Sequence, residues 1–116
     1  MSMLKVAAAE ARLKPVTGVP RWVGSNLAEV ITGGGDVRMA AGIHEIFASE
    51  TVEPNPVVDD LLYILEGEIE VEVEGCRESF GPGDFAYLMA GPRRVYRVSD
   101  RVKLIYVTYP CDWQAE

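Results

Sequence analysis

Turn residues recur at short intervals along the second half of the chain, and this spacing most constrains the fold. Turns are predicted at Gly67, at Gly75-Cys76, over Gly81–Asp84 and over Ala90–Pro92. Glycine and proline supply the backbone angles that tight turns need, and the runs between them have strand length. The pattern predicts an antiparallel all-β sandwich or barrel without a long helix.

The segment from Ile69 to Glu74 alternates strictly between apolar and acidic residues. This period of two predicts a strand with one buried face and one charged, wet face. The glutamates are therefore interpreted as a solvated face that discourages edge-to-edge aggregation. Capture of calcium or magnesium by the row is the alternative.

Further strands are predicted over 39–47, 60–65, 77–80, 85–89, 94–99 and 101–109, with a proline-stiffened loop over 53–56. Residues 1–36 are predicted to form an irregular N-terminal arm with a short strand near Val16, because prolines and glycines interrupt any long helix there. Trp22 in this arm is expected to fill the core or a dimer interface. The predicted organisation is an arm over 1–36 and one barrel domain over 37–116.

Composition narrows the classes of partner. The chain has 116 residues, 48% apolar and 25% charged, with a net charge of −7. These values are typical of one soluble globular domain, and the acidity disfavours nucleic acid and anionic membranes. No transmembrane run and no secretory signal is recognised, so a cytoplasmic protein is expected. Cys76 and Cys111 are predicted to be free thiols.

The turn pattern resembles that of the cupin superfamily over roughly the C-terminal two-thirds of the chain. The chain also contains Asp59-Asp60, Leu65-Glu66-Gly67, Gly83-Asp84, and the run Leu104–Pro110 followed by Asp112-Trp113-Gln114. This set more narrowly resembles the cupin domain of EutQ-type ethanolamine utilisation proteins. The resemblance implies a single cupin domain, a jelly-roll β-barrel.

EutQ-type proteins are linked to bacterial microcompartments and to an acetate kinase-type activity. That activity is not expected of this chain, which lacks their long N-terminal extension and has no phosphate-binding glycine loop with a lysine. The resemblance therefore supports fold and kinship rather than a reaction.

The histidine ligands of metal-binding cupins are missing, as they are in EutQ-type proteins. Alignment on the two motif glycines, Gly67 and Gly91, places other residues at the three histidine positions and the glutamate position: Glu53, Asn55, Arg94 and Asp60, in that order. The one histidine of the chain, His44, lies elsewhere. No cofactor and no metal ligand is therefore predicted.

Strand alternation indicates which side chains face the barrel interior. If Asp60 points inward, so do Leu62 and Ile64; by the same count Arg94, Tyr96 and Val98 line the interior. The predicted ligand-binding residues are Glu53, Asn55, Asp60, Arg94, Tyr96 and His44.

Arg94 stays protonated and does not ordinarily coordinate metal. Our hypothesis is that it occupies the vacated metal position, either paired with Asp60 or presenting its guanidinium to an anionic ligand. The alternative is that Arg94 turns outward into solvent.

His44 and the aromatic residues each have two interpretations. His44 is expected to be a hydrogen-bonded strand histidine, with Glu53 or Asp60 as possible partners; the alternative is a general base or lone ligand. The five tyrosines and two tryptophans are expected to pack in the core and interfaces. A pocket that stacks a flat ligand or encloses a quaternary ammonium is the functional alternative.

The leading functional hypothesis is a small-molecule-binding cupin of the EutQ-like group, accessory to amine or carboxylate metabolism. A metal-dependent lyase, isomerase or dioxygenase that uses carboxylates and His44 is the second, and a structural interaction module is the third. A homodimer is expected, in which a terminal strand or the tail with Trp113 covers the partner's sheet edge.

Overall fold

The computed structural model describes residues 2–115, which form eight antiparallel strands and three short 3₁₀ helices. The strands are β1 (Lys14–Pro15), β2 (Asn26–Ile31), β3 (Ala40–Glu53), β4 (Asp59–Gly67), β5 (Ile69–Val73), β6 (Cys76–Phe80), β7 (Phe85–Leu88) and β8 (Arg94–Tyr109). The 3₁₀ helices are Ala8–Glu10, Pro20–Trp22 and Trp113–Ala115. The described residues contain no α-helix, so the all-β prediction is confirmed. No helix among them is long and apolar enough to cross a membrane.

The two longest strands, β3 and β8, organise the barrel. The strand order is β1-β2-β3-β8-β4-β7, and β5 pairs with both β8 and β6. Along one side, β8 pairs with β3 from Glu53↔Arg94 to Ala40↔Thr108. Along its other side, it pairs first with β5 and then with β4. Because one strand serves two different neighbours on that side, the sheet folds over and encloses a core.

β8 corrects one prediction. Two strands, 94–99 and 101–109, are predicted from the sequence, but the structure has one continuous strand. Ser99 and Asp100 stay within it at a register shift, where Phe47 pairs with Arg101 and Ser49 pairs with Val98. Such a bulge bends a strand without ending it, which is why two polar residues resemble a turn in the sequence.

The arm is more regular than predicted. Within it, β2 pairs with β3 over its length, and β1, adjacent to the predicted strand near Val16, pairs with β2. Glycines on both sides hide the strand signal of residues 26–31, and its pairing with β3 supplies the order that local sequence does not. Trp22 is 7% exposed and belongs to the core, as predicted.

The residues that face the core are those that strand alternation predicted. Leu62 and Ile64 are buried, whereas Leu61 and Tyr63 are not. On β8 the even-numbered residues from Arg94 to Val98 and from Val102 to Thr108 are buried. At the β4–β5 turn, Gly67 has a φ of 78°, and a Cβ there would lie 1.9 Å from the Arg101 carbonyl oxygen, so only glycine fits. Cys76 and Cys111 are free thiols, as predicted.

Candidate functional site

A small cavity of about 50 Å³ lies inside the barrel. Its polar wall consists of His44, Glu53, Asp60, Tyr96, Tyr106 and Thr108. Its apolar wall consists of Trp22, Leu27, Ile46, Leu62, Ile69, Leu104 and Trp113. A mostly apolar pocket with a few convergent polar groups is the usual form of a small-molecule site.

Arg94 is the best-anchored side chain near this cavity. It is 0% exposed at the first position of β8. Its Nη1 donates to Asp60 Oδ2 at 2.7 Å and to Glu53 Oε1 at 3.3 Å. Its Nη2 donates to three backbone carbonyl oxygens, those of Val58, Leu88 and Met89, at 2.7, 3.2 and 3.1 Å. The outward orientation considered above does not occur.

These contacts decide between the two inward hypotheses for Arg94. Both Nη atoms point to protein acceptors, and Arg94 is not among the residues that line the cavity. The guanidinium therefore pairs with Asp60, which is the first of the two hypothesised arrangements, and does not present a free fork to an anion.

Glu53 joins three side chains at the end of β3. Its Oε1 accepts a hydrogen bond from the Tyr96 hydroxyl at 2.5 Å as well as from Arg94. Its Oε2 lies 3.5 Å from Arg21 Nε. Arg21 was missed by the sequence reasoning, because nothing in the arm indicates that its 3₁₀ helix packs over β3. The cluster therefore alternates carboxylates and guanidinium groups, which limits the cost of burying them.

Burial changes the acid–base properties of this cluster. Desolvation raises the pKa of Asp60 to about 6, although the positive charge of Arg94 opposes that shift. Burial, followed by the charges of Glu53 and Asp60, raises the pKa of Tyr96 well above its ordinary value. Tyr96 is therefore a hydrogen-bond donor across the physiological pH range, and Asp60 is largely ionised at neutral pH and gains its proton near pH 6.

His44 is a buried, neutral strand histidine, and its partner is Ser25 rather than Glu53 or Asp60. Ser25 Oγ lies 2.6 Å from the Trp22 carbonyl oxygen, which can only accept, so the hydroxyl hydrogen points there. His44 Nε2, 2.8 Å from the same Oγ, must then donate, which leaves Nδ1 as the acceptor. Desolvation lowers the pKa of His44 to about 4, so the ring is uncharged near neutral pH.

Two hydroxyl groups on the cavity wall have no partner. The Tyr106 hydroxyl and Thr108 Oγ1 are buried and make no hydrogen bond among the described residues. Their residues are 6% and 2% exposed. A buried polar group without a partner is rare and costs stability, so such a group indicates a function or a bound molecule. Tyr106 and Thr108 occupy even-numbered positions on β8, as Arg94 and Tyr96 do. This alternation is a sequence signal that would have predicted their inward orientation.

The structure brings together five of the six predicted site residues. Glu53, Asp60, Tyr96 and His44 line the cavity, and Arg94 pairs with two of them. Asn55 does not join them: it is exposed in the loop between β3 and β4 and is absent from the lining. Counting from an aligned motif places Asn55 inward, but β3 ends at Glu53, and strand alternation ends with it.

Trp113 lines the cavity of the chain to which it belongs. Its ring centroid lies 6.0 Å from that of Tyr106, and its Nε1 donates to Glu29 Oε2 at 3.3 Å. Its carbonyl oxygen accepts from Arg21 Nη2 at 3.1 Å. Within its own chain the tail thus packs on the barrel, and the expectation that Trp113 reaches a partner subunit stays a prediction.

The candidate metal ligands near the cavity are few, and they make other contacts. Among residues 2–115, no group of three or more histidine, cysteine, aspartate or glutamate side chains could hold a metal ion. Glu53 and Asp60 instead both accept hydrogen bonds from the guanidinium of Arg94, and His44 donates its Nε2 hydrogen to Ser25. The usual donor set of imidazole nitrogens around an open position is not assembled here.

Comparisons with known proteins identify the family of this chain. Residues 2–115 match the family model described as ethanolamine utilisation protein EutQ. The protein named acetate kinase EutQ in Escherichia coli is 30% identical over 99 residues, which cover 83% of this chain and 40% of that protein. The chain spans about two fifths of the length of the curated relatives it matches.

Solved structures support the fold. A putative ethanolamine utilization protein Q from Salmonella typhimurium superposes with a TM-score of 0.76 at 21% identity, covering 91% of this chain and 85% of that one. An RmlC-like cupin from Shewanella frigidimarina gives 0.73 at 17% identity, with 96% and 94% covered. The fold is thus that of a cupin, and the chain belongs to the EutQ family of ethanolamine utilisation proteins.

Proposed function

We propose that this EutQ-family cupin binds a small molecule in its barrel cavity and does so without a transition metal. The observation that carries the proposal is the buried guanidinium of Arg94, 2.7 Å from Asp60, at the position where a metal-binding cupin carries a histidine. Its charge takes the place of the metal's charge and holds the two carboxylates at the cavity wall. The ligand then meets preorganised oxygen acceptors instead of an ion.

Metal analysis tests the proposal directly. Protein purified without a chelator is expected to carry no stoichiometric iron, nickel, manganese or zinc, and none of these ions should raise its melting temperature. The variant Arg94→His exchanges the guanidinium for an imidazole beside Glu53 and Asp60, and nickel or zinc should stabilise it. A stoichiometric ion in the wild-type protein would instead support the metal-dependent enzyme hypothesis.

We further propose an accessory role in amine or carboxylate metabolism in the cytoplasm, and not acetate kinase activity for this chain alone. The Escherichia coli relative is named for that activity, but this chain covers only 40% of it. A cavity of about 50 Å³ is far smaller than a nucleotide, and Glu53 and Asp60 at its wall would repel phosphate. We expect no ATP-dependent formation of acetyl phosphate; turnover by the purified chain would contradict this part of the proposal.

The outer face of the sheet supports a homodimer. On β4, β7 and adjacent positions, large apolar side chains are exposed: Leu61, Phe85, Tyr87, Met89 and Tyr109. We call these five residues the outer apolar face. Contiguous exposed apolar surface is typical of a protein interface, and β7 is also the last strand of the sheet path. We propose that a second copy of the chain covers this face, and light scattering on the purified protein tests it.

A further inference from the structure

We propose that the cavity binds a small primary amine, held as its ammonium ion. This inference rests on the proposed small-molecule function and selects amines over carboxylates as the ligand class. The cavity of about 50 Å³ has room for about three to five water-sized groups. An amine with two or three carbon atoms fits this space.

The charged groups at the wall favour a cation over an anion. The described lining contains two carboxylates, Glu53 and Asp60, and no lysine or arginine. Arg94 Nη1 contacts both carboxylates, and Arg94 Nη2 donates to backbone carbonyl groups. A ligand in the cavity therefore meets acidic oxygens rather than guanidinium groups.

The hydroxyl groups without partners supply the second, independent observation. Thr108 is directly opposite Asp60 in the pairing of β4 with β8, and Tyr106 lies two residues earlier on the same inward face. Thr108 Oγ1 and the Tyr106 hydroxyl have oxygen lone pairs that no described residue uses. Together with the Asp60 carboxylate they offer three acceptors, and a primary ammonium has three N–H donors.

The remaining wall suits the rest of such a ligand. Trp22 and Tyr96 have ring centroids 5.3 Å apart, and Tyr106 and Trp113 have centroids 6.0 Å apart. Aromatic rings attract a cation through their π-faces and also cover the methylene groups beside it. Ser25 contacts His44 through Nε2, so His44 Nδ1 could accept a hydrogen bond from a further group of the ligand, such as an alcohol hydroxyl.

Calorimetry with four probes of similar size tests the inference. Ethylamine and 2-aminoethanol are cationic, ethylene glycol is neutral and propionate is anionic. We expect the two amines to bind near neutral pH and the other two to bind at least 10-fold more weakly. Asp60→Asn should weaken amine binding about 10- to 100-fold and Thr108→Val about 5-fold, the usual effects of a charged and an uncharged hydrogen bond. Glu78→Gln, which removes an exposed carboxylate on β6, should leave affinity unchanged.

The outcomes separate the two proposals. Binding of ethylene glycol or propionate in preference to the amines would overturn the amine inference and leave the small-molecule function standing. Failure of all four probes to bind would contradict both. Should Asp60→Asn fail to fold, Thr108→Val and Tyr106→Phe keep the test open, since each removes only an unpartnered hydroxyl. Unchanged amine affinity in both would overturn the inference.

Discussion

Glu53, the last residue of β3, and Arg94, the first residue of β8, are direct cross-strand partners whose side chains meet at 3.3 Å inside the barrel. The register of the two longest strands thus fixes the ion pair. Asp60 adds the second carboxylate from β4. Since each charge is buried and each depends on the others, the cluster is sensitive to the loss of any member.

Arg94→Met should lower the free energy of unfolding by about 3–5 kcal/mol, because it removes the cation that two buried carboxylates share. Urea denaturation followed by circular dichroism measures this change. The neighbouring Arg93→Met is the matched control, since Arg93 is exposed and its loss should change stability by no more than about 0.5 kcal/mol. Equal effects in the two variants would show that the cluster contributes no special stability.

Asp60 should make the fold less stable as pH rises. Its pKa is raised from 3.8 to about 6, so the folded state binds more protons than the unfolded state between these values. The stability is fully present below the unfolded pKa and falls, by about 3 kcal/mol, as pH rises through the folded pKa. Asp60→Asn removes this slope. Relative to wild type, its stability should therefore improve by that amount from about pH 4 to about pH 7.

His44 should act in the opposite direction over nearly the same range. Its pKa is lowered from 6.5 to about 4, so its contribution to stability is present above the unfolded pKa and is lost as pH falls toward the folded one. The loss is about 3 kcal/mol. Relative to wild type, His44→Gln should gain stability as pH is lowered. Urea titrations across this range measure both variants, and slopes of the same sign would contradict the assignment.

Thr108→Val should raise the free energy of unfolding of the ligand-free protein by about 1 kcal/mol. The substitution keeps the shape of the side chain and removes a buried hydroxyl that has no partner, and such a group costs about 1–3 kcal/mol. Thr17→Val, at an exposed position, is the control. A loss of stability in Thr108→Val alone would mean that the hydroxyl is already satisfied.

Phe85→Lys should convert the proposed dimer to a monomer. Phe85 is 66% exposed within the outer apolar face, and a charge there cannot be buried against a second copy without a large cost. Light scattering at several concentrations reports the mass. Met3→Lys, at a residue that is 80% exposed and outside this face, should leave the mass unchanged. A wild-type protein that stays monomeric at high concentration would contradict the proposed homodimer.

The sequence was sufficient to predict much of the fold because turn residues and alternation act locally. Ile69 and Val71, predicted to face inward, are buried, and the Gly81–Asp84 turn separates β6 from β7. The inward orientation of Arg94 followed from the same counting. Its choice of partners did not, because three of its acceptors are backbone carbonyl groups that only the folded chain brings together.

Long-range packing explains what the sequence reasoning missed. Ser25 became the partner of His44 because β2 pairs with β3, and no local pattern indicates that pairing. Asn55 was placed at the site by motif spacing, although the strand had already ended. The contact of Trp113 with Tyr106 could not be predicted either, because the sequence shows an aromatic residue in a tail but not the surface that receives it.

The pairing of β8 has a consequence for how the chain is made. Three earlier strands, β3, β4 and β5, depend on β8 for hydrogen bonds, yet residues 94–109 leave the ribosome after all of them. Until then each of the three strands lacks its neighbour on one side and the core is not enclosed, a condition that favours aggregation of nascent chains. Such a topology, dominated by contacts far apart in sequence, folds slowly. The glutamates on the outer side of β5 would keep that unfinished intermediate dispersed.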